Sequence, residues 1–145
     1  MLNFTCSLIK KFYLASRDNH PSLTCWGTGS PLREFMHVDD LGDAVVFALE
    51  NWFPGVKGAP LDEKGNPLYL LNVGTGKDIS IKDLALKISK ITSFKGEIIW
   101  DSSKPNGTPK KQLNVEKLRE MGWEPNIQLE EGIRKTLVSF KEENL

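Results

Sequence analysis

A tight turn followed by a single arginine is the first place in this sequence where chemistry could occur. The turn contains Gly27, Gly29 and Pro31, and Arg33 follows it directly. Glycine reaches backbone angles that other residues avoid, and proline fixes its own φ angle. The apolar, aromatic and β-branched run over residues 34–38 predicts a short strand. Arg33 is therefore expected at a strand entrance, where its fork of donors could hold a phosphate or a carboxylate.

One histidine and two aspartates lie at the end of this stretch. Asp39 and Asp40 stand just before an apolar periodic run, so one of them is expected to cap a helix that begins at Leu41. The alternative, a paired general acid and base, is disfavoured because helix caps are the commoner use of such residues. His37 alternates with Phe35 along the predicted strand, which favours a hydrogen-bonded structural histidine over a catalytic one.

The composition is that of a globular domain without a strong charge. The chain has 145 residues, with 19 Lys plus Arg against 19 Asp plus Glu, and 39% of its residues are hydrophobic. The zero formal charge gives no bulk attraction to nucleic acid or to an anionic membrane. No apolar run approaches the roughly 20 residues of a membrane span, and no signal peptide is recognised. Cys6 and Cys25 are too few for a zinc site, so free thiols in a cytoplasmic protein are expected.

Strands and helices alternate along the chain, which predicts an α/β domain. A capping box at Ser80 and Asp83, a cap at Asn114 and a stop at Gly122 mark three helix ends. Apolar periodicity predicts helices over residues 2–16, 41–52, 81–91, 115–121 and 129–140. Apolar runs predict strands over residues 22–26, 69–73 and 96–100, and residues 54–67 are expected to form a surface loop.

Three motifs in order carry a resemblance to a known family. They are WGTGSPLREFMHVDDLGDA from Trp26, LNVGTGKDISIKDLA from Leu71 and DSSKPNGTPKKQLNVEKLREMGW from Asp101. Together they resemble the GDP-L-fucose synthase family, a branch of the extended short-chain dehydrogenases/reductases within the NAD-dependent epimerases/dehydratases. The wider superfamily keeps only a looser R-x-F-x-H-V-D-D. The resemblance runs from about Leu8 to Glu143.

The resemblance implies that residues 1–145 are one carboxyl-terminal fragment of an extended short-chain dehydrogenase/reductase that lacks most of the Rossmann domain. Residues 1–7 depart from the family. Residues near 34–52 and 68–74 are expected to pack on the missing Rossmann sheet, and residues 77–145 are expected to form the small substrate domain. The intact family enzyme uses NADP(H) and a GDP-sugar and usually forms a homodimer.

The cofactor and catalytic motifs of that family are absent from the sequence. There is no G-x-x-G-x-x-G opening a βαβ unit. Gly74-x-Gly76 follows a predicted strand but lacks a third glycine, so a plain turn is favoured over a phosphate site. Neither tyrosine begins a Tyr-x-x-x-Lys, because Tyr13 is followed by Arg17 and Tyr69 by Val73. Asn3 stands where the family's histidine should fall. This chain alone is therefore expected to be inactive and not to bind NADP(H), and no catalytic residue or metal site is assigned.

Two cations are the best candidates for the diphosphate of the substrate. The resemblance favours Arg33 and Lys111 as its ligands, since two cations offset its charge. The alternative for Arg33 is a surface cation paired to Glu34 or to an aspartate. Lys110, beside Lys111, is expected to be a solvated neighbour.

Three further residues match family positions at the nucleotide-sugar site. Trp26 could contact the ligand and donate one hydrogen bond, or could be a core or rim aromatic. Lys11 matches a cation implicated in substrate binding. Asn106 sits on a Lys-Pro-Asn-Gly turn where relatives can carry Asp, and either a ligand contact or plain turn chemistry explains it.

Three functions remain open from the sequence. The leading one is the GDP-sugar-binding portion of an enzyme that epimerises GDP-4-keto-6-deoxy-mannose and reduces it with NADPH. The second is part of another nucleotide-sugar epimerase or reductase. The third is a nucleotide-sugar-binding module without catalysis, which the missing motifs favour for the chain as it stands.

Overall fold

The computed structural model of the chain describes residues 4–143, which form two compact units. One unit contains residues 4–33, 78–111 and 129–143, and the other contains residues 34–77 and 112–128. The predictions for Leu2 and Asn3 lie outside the described residues. The helices are α1 Phe4–Arg17, α2 Val38–Asn51, α3 Ile81–Ile91, α4 Glu116–Glu120 and α5 Leu129–Glu143. The strands are β1 Ser22–Trp26, β2 Leu32–Glu34, β3 Asp78–Ser80, β4 Glu97–Asp101 and β5 Lys110–Lys111.

The first unit is built around three helices and one aromatic pair. Helices α1, α3 and α5 pack on one another. Phe12 of α1 is completely buried and meets Phe94 edge to face, with 5.5 Å between ring centroids. Ile9, Leu84 and Ile88 fill the same core. These residues lie three or four apart in their helices, so the predicted apolar stripes are confirmed.

Two small sheets carry the loops of the candidate site. Strands β1 and β4 are parallel, with Ser22 opposite Glu97 and Trp26 opposite Asp101. The other sheet has the order β3-β2-β5, and β2 and β5 are parallel. The strands predicted at residues 22–26 and 96–100 are thus confirmed to within one residue.

The second unit is a smaller core between α2 and α4. Ala44, Leu118 and Trp123 are buried there. Asp40 is also buried, and its two carboxylate oxygens accept the backbone N–H groups of Asn126 and Ile127, each at 3.0 Å. A buried carboxylate needs such donors, so Asp40 fixes the segment that follows α4.

The start of α2 corrects two predictions. The strand predicted over residues 34–38 is wrong: β2 ends at Glu34 and α2 already begins at Val38. The cap predicted at Asp39 or Asp40 is also wrong, because His37 is the N-cap and its Nδ1 accepts from the N–H of Asp39 at 3.2 Å. The imidazole can satisfy the helix end, so Asp40 is free to bond elsewhere. The structural interpretation of His37 is confirmed.

The strand predicted over residues 69–73 is wrong as well. No strand occurs between Leu61 and Asp78 of the described chain apart from an isolated bridge. The side chains of Leu71 and Val73 pack on the second core, whereas Tyr69 and Leu70 are 72% and 86% exposed. Part of the apolar run is therefore packed as predicted, but the described residues supply no neighbouring strand to form a ladder.

Two of the three other helix-end predictions are confirmed, those at Ser80 and Gly122. Ser80 caps α3, its Oγ accepting from the N–H of Asp83 at 3.0 Å, as the capping box predicts. Gly122 has φ +103° after α4, which confirms the predicted stop. The cap of α4 is Val115 rather than Asn114, although Asn114 Oδ1 accepts from the N–H of Glu116 at 2.9 Å.

Candidate functional site

The candidate site forms where two parallel strands end. The loop after β1 begins at Gly27, and its N–H donates to the carbonyl of Asp101, the last residue of β4, at 2.9 Å. The loop after β4 contains the Lys104–Gly107 turn. Ligands of open α/β sheets bind outside the carboxyl ends of the strands. Both loops therefore lie at the end of the small sheet where a ligand is expected.

Asn106 joins the two loops. Its Oδ1 accepts from the N–H of Thr28 at 2.7 Å and from the Thr28 hydroxyl at 3.1 Å. The Thr28 hydroxyl also lies 2.7 Å from that of Ser30. The oxygen of Asn106 is thus committed to loop geometry, and only its amide NH₂ is left to donate to a ligand. Of the two interpretations of Asn106, turn chemistry is present in the structure.

The glycines of the first loop are required by this contact. Gly27 has φ +78°, and a Cβ there would clash with Oδ1 of Asn106. Gly29 has φ +75°, and a Cβ there would lie 2.8 Å from the Trp100 ring. The N–H of Lys82 holds the loop from the other side by donating to the Gly29 carbonyl at 2.8 Å. The loop is therefore tightly fixed without a ligand.

Gly27→Ala is expected to separate the two loops. Alanine is strained at the positive φ angle of this position, and its Cβ displaces the Asn106 oxygen. The bonds to Thr28 therefore break, and we expect about 1–3 kcal/mol of destabilisation. Chemical denaturation followed by circular dichroism measures this. Gly55→Ala is the control for the backbone cost alone, because Gly55 has φ +85° with nothing within 4 Å of its Cβ position. Equal losses for both variants would contradict the contact with Asn106.

Trp26 is exposed at the end of β1. Its side chain is 71% exposed, while Leu23 and Cys25 on the other face of the strand are buried. The ammonium of Lys104 lies 5.8 Å from the ring centroid, within range of a cation–π contact. Trp26 is therefore not part of the core of the described residues, and the rim alternative stays open beside the ligand-contact prediction.

Arg33 and Lys111 are neighbours on adjacent strands. They are register partners in the parallel pair of β2 and β5. Partners in a parallel ladder lie about 4.8 Å apart and project to the same face. The Arg33 guanidinium donates to the carbonyl of Leu32 at 2.7 Å, and its Nη2 is 3.6 Å from the Cβ position of Gly107. Backbone pairing brings the two cations together at the Asn106 turn.

Neither cation is neutralised by a carboxylate within the described chain. The alternative partner of Arg33, Glu34, is engaged elsewhere: it accepts the backbone N–H groups of Thr75, Gly76 and Leu113. Lys110 is exposed, in keeping with the predicted solvated neighbour, and it also forms an ion pair with Asp78 at 3.0 Å. The arrangement offers two uncompensated positive charges on one face, which suits a polyanion.

The Gly74–Gly76 turn does not fit a cofactor pyrophosphate. The Glu34 carboxylate occupies its amides, and even a Cβ at Gly74 would collide with that carboxylate. A phosphate group placed there would meet a negative charge instead of free N–H donors. The turn is thus filled from within the chain.

Lys11 stands apart from the other four candidates. Its Nζ donates to the carbonyl of Thr24 in β1 at 2.8 Å, two residues before Trp26. This hydrogen bond places the cation beside β1. Among residues 4–143, the hydrogen bond of Lys11 is made to β1 and not to either loop, so Lys11 is a more peripheral candidate.

Tyr13 of α1 lies among side chains of α5. Tyr13 packs edge to face on Phe140 at 5.8 Å, with Lys141 over its ring.

Within residues 4–143, no group of three His, Cys, Asp or Glu side chains could hold a metal ion. No helix of that part of the chain is long and apolar enough to cross a membrane.

Comparison with known proteins shows which family and which proteins this chain resembles. The sequence model of the NAD dependent epimerase/dehydratase family matches residues 2–61. A probable GDP-L-fucose synthase 1 of Oryza sativa subsp. japonica is 42% identical over 130 residues, which are 90% of this chain and 36% of that protein. The chain is similar to members of the NAD dependent epimerase/dehydratase family. The resemblance to the GDP-L-fucose synthases is thereby confirmed.

Two further relatives extend this result. The GDP-L-fucose synthase of Escherichia coli K12 is 39% identical over 136 residues, 94% of this chain and 41% of that protein. The structure of a GDP-mannoheptose C4 reductase from Campylobacter jejuni with NADP bound has a TM-score of 0.76 and 26% identity. The match covers 96% of this chain and 46% of that one. The chain therefore spans about two fifths of the length of these curated relatives, and it has the mixed α/β fold of extended short-chain dehydrogenases/reductases.

Proposed function

We propose that this chain is the carboxyl-terminal, GDP-sugar-binding portion of a GDP-L-fucose synthase. The longer enzyme converts GDP-4-keto-6-deoxy-mannose to GDP-L-fucose by epimerisation and NADPH-dependent reduction. The observation that carries the proposal is the pairing of Arg33 with Lys111, uncompensated by acids, at the turn held by Asn106. The similarity to GDP-L-fucose synthases supports it.

Each site residue has a role in this proposal. Arg33 and Lys111 bind the diphosphate, the arginine through its fork and the lysine as a point charge. Trp26 offers its exposed indole to the nucleotide or the sugar. The amide NH₂ of Asn106 donates to the ligand while its oxygen holds the loop, and Lys11 contributes positive charge beside β1.

NADP(H) is held by another part of the enzyme in this proposal. The filled Gly74–Gly76 turn and the absence of a Tyr-x-x-x-Lys from the sequence support a division of labour. This chain supplies substrate-binding groups, and the amino-terminal half supplies the cofactor bed and the proton-transfer residues. Chemistry on the sugar is thus assigned to groups outside this chain.

The apolar surface of α2 supports a missing partner half. Val38, Leu41, Val45 and Leu49 lie three or four residues apart, and all four are exposed. Leu70 is exposed as well. An apolar stripe of this length on a helix is normally covered. We propose that residues 34–52 and 68–74 pack on the Rossmann sheet, and that residues 77–145 contribute the small substrate domain.

The test combines two proteins. The 145-residue chain alone is expected to bind GDP but to show neither NADPH binding nor turnover. Together with its amino-terminal half it is expected to oxidise NADPH when GDP-4-keto-6-deoxy-mannose is added, followed at 340 nm. GDP-linked 4-keto-heptoses and UDP-sugars are the comparison substrates. Saturable NADPH binding by the chain alone, or preference for a UDP-sugar, would contradict the proposal.

A further inference from the structure

We propose that Glu34 is a positioning residue for the Arg33–Lys111 pair, an inference that rests on the proposed GDP-sugar site. Glu34 directly follows Arg33 in the sequence, and an ion pair between the two side chains would be the simplest expectation. The structure instead places this carboxylate on backbone amides, where it fixes the segments next to both cations.

The carboxylate of Glu34 gathers two segments that are distant in sequence. Its Oε1 accepts the N–H of Thr75 and, at 2.8 Å, that of Gly76. Its Oε2 accepts the N–H of Leu113 at 3.0 Å. A carboxylate with several N–H donors forms charge-assisted hydrogen bonds, which are the strong class. The turn at Gly74–Gly76 and the segment after β5 are therefore held by one side chain.

Two further contacts support this arrangement, in which Glu34 binds the Gly74–Gly76 turn and Leu113; we call it the Glu34 clamp. A Cβ at Gly74 would collide with Oε1 of Glu34, so the absence of a side chain there lets the carboxylate reach the turn. Gln112 Nε2 donates to the carbonyl of Gly76 at 2.6 Å, which joins the same two segments a second time. Gln112 and Leu113 follow Lys111 directly, so these hydrogen bonds hold the chain that continues from β5.

The clamp also keeps the charge of Glu34 away from Arg33. Successive residues of a strand point to opposite faces, so Glu34 and Arg33 of β2 project apart. The amides of Thr75, Gly76 and Leu113 hold the carboxylate on its own face. Arg33 consequently keeps an uncompensated charge for a diphosphate, although an acid is its neighbour in the chain.

Glu34→Gln is the informative substitution. The glutamine oxygen can replace only one carboxylate oxygen, and its NH₂ then faces an N–H donor that it cannot accept from. We expect GDP binding to the chain, followed by titration calorimetry, to weaken about tenfold. Gly74→Ala is the second variant, because it displaces the carboxylate without removing its charge, and the same direction of change is expected.

Asp62→Asn is the matched control. Asp62 is also a carboxylate that accepts backbone amides, from Lys64 at 2.9 Å and from Asn66 at 2.8 Å, in a loop remote in sequence from both cations. It is expected to leave GDP affinity unchanged. Circular dichroism and denaturation give the folded fraction of every variant, and affinities are compared for the folded protein.

A double-mutant cycle separates positioning from general stability. If Glu34 acts through the cations, Glu34→Gln should add little further loss of GDP affinity in a chain that already carries Arg33→Ala and Lys111→Ala. Full additivity, or a loss in Asp62→Asn as large as in Glu34→Gln, overturns the inference. Unchanged affinity in folded Glu34→Gln and Gly74→Ala overturns it too. Failure of the parent chain to bind GDP overturns the proposed function, and this inference with it.

Discussion

Replacing Arg33 or Lys111 with alanine is expected to weaken GDP-sugar binding about ten- to a hundred-fold. A hydrogen bond to a charged group contributes roughly 1.5–3 kcal/mol, which sets this range. The two residues are register partners on one face of β2 and β5. Removing one leaves the other near the diphosphate, so the double variant should lose more than either single one.

The kinetics of the intact enzyme should show the loss mainly in KM. The diphosphate is remote from the reacting sugar carbons, so binding energy there is shared by ground state and transition state. Some loss of kcat follows if this energy also orients the sugar. Arg33→Lys keeps the charge but loses the fork and should still be impaired, whereas Lys111→Arg should be milder.

Lys110→Ala is the control for these variants. Lys110 precedes Lys111 in β5, projects to the other face and forms an ion pair with Asp78 at 3.0 Å. Its removal lowers the net charge by the same amount but should leave GDP affinity nearly unchanged. If Lys110→Ala weakens binding as much as Lys111→Ala, bulk charge rather than a defined pair explains the effect. If folded Arg33→Ala and Lys111→Ala bind like the parent, the two cations are surface charges.

Helices could be predicted from this sequence because their signal is local. The stripes through Phe12 and through Ile88 place apolar residues at 3.6-residue spacing, and both residues are buried where the pattern predicts. The boundary at α2 could not be predicted the same way. Which of His37, Asp39 or Asp40 caps the helix depends on Asn126 and Ile127, whose amides take Asp40 away.

The strand at residues 69–73 shows a second limit. The apolar run indicates side chains that pack on a core, as Leu71 and Val73 do, but a strand also requires a neighbour for its hydrogen bonds. The sequence indicates that these side chains pack on a core, but it does not show whether a neighbouring strand is present.

The sequence and its family resemblance name candidate site residues, but they do not give the arrangement of those residues. The resemblance selected Lys11, Trp26, Arg33, Asn106 and Lys111. That Arg33 and Lys111 are register partners follows from long-range pairing, which spacing does not reveal. The hydrogen bonds of Thr28 and Glu34 could not be predicted, because their partners, Asn106 and Leu113, are nearly 80 residues away.

Phe12→Ala is expected to be the most destabilising single change in the chain. Truncating a buried phenylalanine costs about 3–5 kcal/mol, since the transfer free energy is lost and a cavity remains. Phe12 is completely buried and also loses its edge-to-face contact with Phe94. Domains of this size are stable by only about 5–15 kcal/mol, so much of the folded population could be lost.

Urea denaturation of the 145-residue chain, monitored by far-ultraviolet circular dichroism, measures this change as a shift of the unfolding midpoint. Phe12→Leu retains much of the volume and should cost clearly less. Leu86→Ala in α3 is the matched control, because that leucine is 51% exposed and its truncation should change the unfolding free energy by less than about 1 kcal/mol. The helices α1, α3 and α5 meet around Phe12, so its cavity should lower the stability of the whole first unit. A loss for Phe12→Ala no larger than that for Leu86→Ala would show that Phe12 does not lie at the centre of this core.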